Sequence, residues 1–292
     1  MKTNVLIAIP QLTGGGAERV ASAWANDLAD RKYDVTIAVC ARFPDEYETN
    51  QKVKIESIAG NLKQYLTLSY LQRLRRIRSI LRMRKPDYII SFLPAMQVWI
   101  MLASFGMKVK RIETIRVNPW KISVRNPLQV FFWKLCYRTS YRTILQSSDQ
   151  CGFFSPVVQR KSIVIPNPIS KQYIENYKED SSETPTEFIA AGRIDAQKNY
   201  PMMINGFAKA CKRFPNIRLR IFGTGPEAYV SEIKKYIDSK GMEHNVLLLG
   251  RTPHMENEYP KSDVFLMISD FERMPNALAE AMASRLVCIS TD

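Results

Sequence analysis

Two carboxylates eight positions apart, Glu272 and Glu280, stand on either side of a Met-Pro-Asn-Ala that reads as the start of a helix, in "SDFERMPNALAEAMA". Proline suits the first helical position, so Pro275 opens the helix and "NALAEAMA" continues it. Glu272 then falls in the preceding loop, and Glu280 about one and a half turns in at roughly 3.6 residues per turn. Both can border one cleft, flanking a positive helix end suited to a phosphate, while each carboxylate can accept hydrogen bonds from sugar or ribose hydroxyls. A surface glutamate plus a capping carboxylate is the plainer alternative.

Three further stretches carry anion chemistry. In "LTGGGAERV", Gly15 and Gly16 follow a strand and open a helix, allowing close backbone approach and free N–H groups. The spacing is neither GxGxxG nor GxxxxGK[ST], which excludes those two nucleotide loops. A tight strand-to-helix turn, with Glu18 and Arg19 as surface charges, would look the same. In "AAGRIDAQKNY", Gly192 frees the backbone, while Arg193 and Lys198 bring two cations to the C-terminal mouth of a strand, where doubly wound sheets bind ligands. A guanidinium and an ammonium suit a pyrophosphate; two exposed basic side chains are the alternative. "FGTGPE" adds Gly223 and Gly225 after another strand, a weak signal alone because glycine is a common turn residue.

The elements that must position these residues follow from periodicity. Apolar, β-branched runs alternate with helical patterns: "VLIAIP", "DVTIAVC", "VKIESI", "DYIISFL", "RIETIR", "TILQSS" and "SIVIP", then "EFIAAGR", "RLRIFG", "VLLLG", "VFLMIS" and "LVCIST". Such strands with helices between them indicate α/β architecture with parallel sheets covered on both faces. The rhythm restarts after a polar stretch, so the expectation is an N-terminal domain over 1–170, a linker over 171–186 and a C-terminal domain over 187–292. No helix pattern follows "LVCIST", and a parallel sheet needs one there, so the second domain reads as incomplete.

Composition narrows the function. The chain has 292 residues, 46% hydrophobic and 24% charged, enough for two ordinary cores. No apolar run reaches membrane-spanning length, and no signal-peptide pattern precedes the first strand, which favours a cytoplasmic protein. The five cysteines are scattered and read as reduced core residues, and two histidines make a histidine metal site or a Ser-His triad improbable. Residues 1–167 hold 26 Lys and Arg against 11 Asp and Glu, a net of +15, while the remainder holds 16 against 17, a net of −1. A basic half facing a neutral one favours an anionic partner surface. "YLQRLRRIRSILRMRK" reads as an amphipathic helix with Leu71, Leu74, Ile77 and Leu81 on one side and an arginine flank that includes Arg73, Arg75 and Arg76. With Arg116, these are the candidates for facing the acceptor or an anionic bilayer. "NPLQVFFWKLCYR" adds Phe131, Phe132 and Trp133 as a second candidate contact.

Taken in order along the chain, "GGGAER", "IPNPI", "GR…QKN", "FGTGPE" and the Glu-x7-Glu with "AEAMA" resemble the retaining family-4 glycosyltransferases of the GT-B fold. Within that family they are most like bacterial enzymes of lipid-linked and surface-polysaccharide assembly. The resemblance implies two Rossmann-like domains facing across a cleft, and transfer of a hexose or N-acetylhexosamine from a nucleotide sugar, UDP-linked, to a lipid-linked or polysaccharide-precursor acceptor. It implies that Arg193 and Lys198 neutralise the donor diphosphate, and that Glu280 holds the ribose. Glu272 contacts the transferred sugar. The backbone from Arg273 through Met274, Pro275, Asn276 and Ala277 meets phosphates and sugar. Gly15 and Gly16 approach donor and acceptor. Gly192, Gly223 and Gly225 would line the nucleotide-sugar site. No metal or other cofactor is implied, and the protein would sit at the inner membrane face. Two departures stand out: Arg273 replaces a usual glycine after the first glutamate, and "SRLV" carries Ser284 and Arg285 where glycine is usual, which would crowd the sugar pocket. A same-fold nucleotide-sugar epimerase, a basic nucleic-acid-binding protein and a non-catalytic member binding only donor or membrane stay open. The Glu-x7-Glu helix weighs against the first. The lack of a nucleic-acid motif and of interleaved exposed aromatics weighs against the second.

Overall fold

The computed structural model describes residues 2–117, 119–122, 127–177, 184–270, 272 and 274–291. The chain divides into two compact units, Met1–Pro168 and Ile169–Asp292. Each is a parallel sheet wound with helices, as the alternating pattern requires.

In the first unit the strands are β1 (Asn4–Ala8), β2 (Asp34–Val39), β3 (Lys54–Ser57), β4 (Tyr88–Ser91), β5 (Lys110–Thr114), β6 (Arg142–Leu145) and β7 (Ser162–Val164). Their order across the sheet is β3-β2-β1-β4-β5-β6-β7. The helices are α1 (Gly16–Asp30), α2 (Leu62–Thr67), α3 (Tyr70–Arg84), α4 (Pro94–Ala103), α5 (Pro119–Ile122), α6 (Pro127–Thr139) and α7 (Pro156–Gln159). β1 is central, with Ile7 opposite Ile37 of β2 and Ile90 of β4. Alternation along it feeds both faces: Ile7 joins Val20, Ala21 and Ala25 of α1, while Leu6 and Ala8 join Ile77, Ile80 and Leu81 of α3 and Ile100 of α4. Each such Leu, Ile or Val side chain, fully buried, contributes about 1.5–3 kcal/mol.

The second unit carries α8 (Lys171–Glu175), β8 (Glu187–Ala191), α9 (Tyr200–Cys211), β9 (Arg218–Phe222), α10 (Glu227–Ser239), β10 (Val246–Gly250), β11 (Val264–Met267), α11 (Asn276–Ala283) and β12 (Val287–Ser290), with sheet order β10-β9-β8-β11-β12. α9 and α10 cover one face through Ile204, Phe207, Ile233 and Ile237; α11 covers the other with Tyr173, Tyr259 and Phe265. The segment expected to be a linker over 171–186 therefore begins with a helix that packs on the second unit: Tyr173 of α8 is buried against the Tyr259 ring, 5.8 Å away, and its carbonyl accepts the Ser284 hydroxyl at 3.2 Å. Residues 178–183 of that segment lie outside the described ones.

Two expectations about helix faces change. α3 has the expected limits and a Ser69/Gln72 capping box, but its buried seam is Ile77, Ile80 and Leu81, and Leu71 is exposed. At about 100° per residue Leu71 lies about 120° round the helix from Ile77, outside that seam. In α6, Trp133 is buried and Phe131 exposed, so the aromatic run splits between core and surface. Of the cysteines, Cys136 is buried and the other four half-buried, all with free thiols. Among the described residues no helix is long and apolar enough to cross a membrane.

A buried polar network ties α4, α6, β4 and β5 together. Gln97 of α4 donates from Nε2 to the Thr114 carbonyl at 2.7 Å and the Ser91 carbonyl at 3.3 Å, and its Oε1 accepts Trp133 Nε1 and the Tyr137 hydroxyl, both at 2.9 Å. Beside it Glu113 is fully buried, with the Ser91 hydroxyl donating to its carboxylate and Arg111 Nη1 at 3.5 Å. Burial pushes the Glu113 carboxyl up from 4.5 to about 7, against the opposing pull of Ser91, Arg111 and Lys161. The folded value exceeds the unfolded one, so the protonated native state is favoured. This contribution is complete below about pH 4.5, is lost as pH rises through about 7, and amounts to at most about 3 kcal/mol. Denaturant unfolding at about pH 5 and pH 7.5 should show wild-type stability falling over that interval by more than in Glu113→Gln. Equal pH dependence in the two proteins would refute the assignment.

Candidate active site

In the second unit the strand order reverses direction between β8 and β11, which makes the loops after them the switch-point crevice of a doubly wound sheet. Past the end of β8 the ladder continues: Gly192 N donates to Phe222 O at 3.0 Å and Ile194 N to Thr224 O at 2.9 Å, while Gly223 N donates to Gly250 O at 2.8 Å. The loops after β8, β9 and β10 are thereby drawn together, and side chains between them are excluded. A Cβ on Gly223 would collide with the Gly192 carbonyl, one on Gly225 with the Ile194 carbonyl, and one on Gly192 would come within 3.1 Å of Lys198 Cε. Gly223 and Gly225, which looked like ordinary turn residues, are thus sterically required.

After Gly192 the chain passes through Arg193, which is exposed and 3.2 Å from the Asp195 carboxylate, and a short 3-10 turn at Ala196–Lys198. Asn199 takes a left-handed φ of 40° and caps α9, its side chain accepting from Met202 N at 3.3 Å. This segment is laced to the loop after β11. Lys198 Nζ lies 2.6 Å from Glu272 Oε1, which also accepts Gln197 Nε2 at 3.3 Å; Asn199 Nδ2 donates to Asp270 Oδ1 at 2.9 Å, and Asp270 N to Gln197 O at 2.9 Å. The Lys198–Glu272 pair is largely shielded, with side chains 16% and 23% exposed. The structure therefore brings together Gly192, Lys198, Glu272, Gly223 and Gly225, with Arg193 at the rim. Gln197, Asn199 and Asp270 complete the site without having been singled out in the sequence; the polar run "DAQKN" was the available signal.

α11 begins at Asn276, with Pro275 at the N-cap and Ala279 N donating to its carbonyl at 3.2 Å, one position from the expected start. Met274, Pro275, Asn276 and Ala277 are all half-buried, and Arg273 lies outside the described residues. Glu280, expected along a cleft, is buried. Ser284 and Arg285 do not crowd the helix start. They lie at the other end of α11, about 12 Å along an eight-residue helix. There Arg285 takes a left-handed φ of 63°, the position where glycine is preferred. Leu286 N donates to Ala281 O and Arg285 N to Met282 O, both at 3.0 Å, and the guanidinium sits 3.6 Å from the Tyr177 ring centroid.

In the first unit Gly15 is the N-cap of α1 without a side-chain cap, and Gly16 starts the helix. Glu18 is no surface charge: it is buried, and its carboxylate occupies the space a Cβ on Gly15 would need. Next to this loop, at the C-terminal ends of β1 and β2, lies a hollow of about 230 Å³ lined by Pro10, Gln11, Cys40, Phe43, Tyr65 and Trp99. Arg73 stacks on Tyr65, 4.3 Å from the ring centroid, and donates to Leu66 O at 3.3 Å. The other arginines of α3 are largely engaged too. Arg76 Nη1 donates to Ile58 O at 2.8 Å, Arg78 Nη1 to Ala103 O and Phe105 O at 2.8 and 2.9 Å, and Arg84 pairs with Glu56. Arg75 and Arg82 are exposed. Arg116, grouped with them in the sequence, is half-buried between Trp24 and Phe92 instead. Among the described residues no three His, Cys, Asp or Glu side chains gather as a metal-binding group.

Two parallel sheets wound with helices, their glycine-lined loops gathered at the C-terminal edges, define a two-domain Rossmann-like α/β protein of the GT-B class. The chain belongs to glycosyltransferase family 4: that family's profile matches residues 14–172, and the profile for glycosyl transferases group 1 matches residues 174–292. A *Campylobacter jejuni* enzyme named GalNAc-alpha-(1->4)-GalNAc-alpha-(1->3)-diNAcBac-PP-undecaprenol alpha-1,4-N-acetyl-D-galactosaminyltransferase is 27% identical, over the whole of this chain and 79% of its own length. An uncharacterized glycosyltransferase of Methanocaldococcus jannaschii is 25% identical over 76% of this chain, which spans 59% of that protein. Among solved structures, sucrose-phosphate synthase from Thermosynechococcus elongatus superposes with a TM-score of 0.83 at 12% identity, covering 99% of this chain and 81% of that one. Anabaena HepE in complex with UDP and glucose gives 0.75 at 16% identity, covering 98% and 80%.

The steric account of the glycine loops has a direct check. Gly225→Ala should lower the stability of the second unit by about 1–3 kcal/mol, the usual cost of forcing a methyl into packed structure. Urea unfolding would read it, and an unchanged midpoint would mean the two loops can part freely.

Proposed function

We propose that this chain transfers a hexosyl or N-acetylhexosaminyl group from a UDP-linked sugar to a lipid-linked or polysaccharide-precursor acceptor, with retention of configuration and without a metal. The observation that carries the reading is the convergence of three glycine-lined strand ends, Lys198 and Glu272 at the switch point of the second unit.

In this reading the diphosphate lies against Lys198 and Arg193 and the N-terminal end of α11, where it meets the backbone from Met274 to Ala277, in which Pro275 has no N–H to donate. Lys198 exchanges Glu272 for phosphate oxygens, and Glu272 is then released to accept hydroxyls of the transferred sugar. Glu280 holds the ribose. The bond between the anomeric carbon and the diphosphate oxygen breaks with its electron pair on oxygen, and the two cations offset the charge that develops on the departing nucleoside diphosphate. The acceptor hydroxyl forms the new bond to the anomeric carbon from the same face and gives up its proton to the departing diphosphate oxygen. No protein nucleophile is assigned. Gly15 and Gly16 present the N-terminus of α1 to substrate in the first unit, and the hollow beside Tyr65 and Trp99 takes an apolar portion of the acceptor. The undecaprenol-linked acceptor in the *Campylobacter* relative's name and the UDP in the HepE complex support the lipid and nucleotide assignments.

The exposed side chains Leu62 and Leu66 of α2 and Tyr70 and Leu71 at the start of α3, next to Arg75, fit peripheral contact with an anionic bilayer. Two measurements test these assignments. By calorimetry UDP should bind saturably, and Lys198→Ala should weaken it tenfold or more, about 1.4 kcal/mol; equal affinities would remove Lys198 from the site. The chain should pellet with vesicles rich in anionic lipid at low salt and less so after Arg75→Glu with Arg82→Glu. Pelleting that ignores both salt and these substitutions would rule out the electrostatic contact.

A further inference from the structure

Arg116 lies apart from the arginines of α3. It follows β5 by two residues, at the C-terminal edge of the sheet and one strand from the β1/β4 switch point. Its guanidinium carbon lies 4.7 Å from the Trp24 ring centroid of α1 and 5.5 Å from that of Phe92, just past β4. Nη1 donates to Asn167 Oδ1 at 2.5 Å, and the same oxygen accepts Gln146 Nε2 at 3.0 Å. Nε and Nη2 are shut off from solvent and make no hydrogen bond. No carboxylate among the described residues pairs with this cation, and desolvation alone pulls its pKa down to about 10.

An unpaired buried guanidinium is costly, since its charge has lost water without gaining a counter-ion. The ring faces of Trp24 and Phe92 offset part of that cost but leave two in-plane donors unused. Nε and Nη2 form the edge of the planar fork that takes two oxygens of one carboxylate or phosphoryl group. The residue as a whole is half-buried, and binding there requires its side chain to turn that edge outward when the anion arrives. Its place matters as much: the C-terminal edge of the sheet, beside the helix whose N-terminus is the Gly15–Gly16 loop, is where doubly wound folds receive ligands.

We infer that Arg116 binds an oxyanion of the substrate, a phosphoryl or carboxylate group, on the first unit. The inference rests on the reading that this unit receives part of the substrate. A phosphoryl group would come from a diphosphate-linked carrier, a carboxylate from an acidic sugar.

The test uses the full chain carrying Lys198→Ala, so that the second unit does not supply the binding. Inorganic pyrophosphate and glucuronate are titrated separately by calorimetry, with tryptophan fluorescence as a second readout because Trp24 underlies the guanidinium. At least one anion should bind saturably, pyrophosphate pointing to a carrier diphosphate and glucuronate to an acidic sugar. Arg116→Met should weaken that binding tenfold or more, and Arg116→Lys, which keeps charge without the fork, should fall between. Thermal unfolding should place Arg116→Met at or above its parent, because the substitution removes an uncompensated buried charge; Arg116→Gln serves if Met disturbs folding. Absence of binding by both anions, or binding that survives loss of the guanidinium, overturns the inference. So does a marked loss of stability in Arg116→Met without anion binding, which would make Arg116 a structural cation. UDP affinity of the wild-type chain is measured independently, so failure here and failure of the donor assignment remain distinct.

Discussion

Backbone hydrogen bonding that outlasts the strands is the constraint on which the rest of the molecule depends. In the first unit Ile9 N reaches Ala38 O, Phe92 N reaches Ala8 O and Ile115 N reaches Ile144 O; in the second, Gly192, Ile194 and Gly223 extend the ladder in the same way. A loop held by such bonds has its direction set before any side chain acts, and its buried polar groups are satisfied without water. That is how loops can carry precise chemistry without forming regular structure. Where two of them run side by side, as after β8 and β9, the geometry leaves no room for a Cβ, and the sequence responds with glycine.

Much of this was legible from the order of residues. All twelve apolar runs read as strands are strands, because β-branched side chains between turn residues have few other ways to bury themselves in a chain this regular. Where the reading failed, the missing information was which neighbour a side chain meets. Leu71 and Ile77 both look like seam residues of one helix, yet only the sheet beneath α3 decides which arc is covered. Trp133 sits in a run of three aromatics that sequence cannot divide, and the division comes from Gln97, 36 positions away, whose amide oxygen takes the indole N–H. Glu18 looked like a surface charge because nothing nearby in sequence shows that the glycine before it leaves space for a carboxylate.

The site was legible in composition and hidden in its pairing. Lys198 and Glu272 were each read as ligand-facing, but 74 positions separate them, and their contact arises only because β8 and β11 are neighbours in the sheet. Before any ligand arrives, then, the cation expected to meet phosphate is already charge-compensated. The helix-terminal arginine gives the opposite lesson. A departure that looked like an obstruction at the pocket proves to be a left-handed helix stop with Tyr177 beneath it. The two outcomes share a cause: spacing tells where a residue falls along an element, and only the fold tells which end of the element matters.

The arginines of α3 carry a further consequence. Arg76 and Arg78 are tied to neutral carbonyls, which orient a guanidinium without cancelling its charge. The positive field of these two side chains is therefore already fixed in place. A negatively charged partner approaching it would not have to immobilise these flexible side chains, whose ordering otherwise costs about 0.5–1.5 kcal/mol each on association. On this part of the helix the charge is less a brush of mobile cations than a preset pattern, able to favour one spacing of negative groups over another.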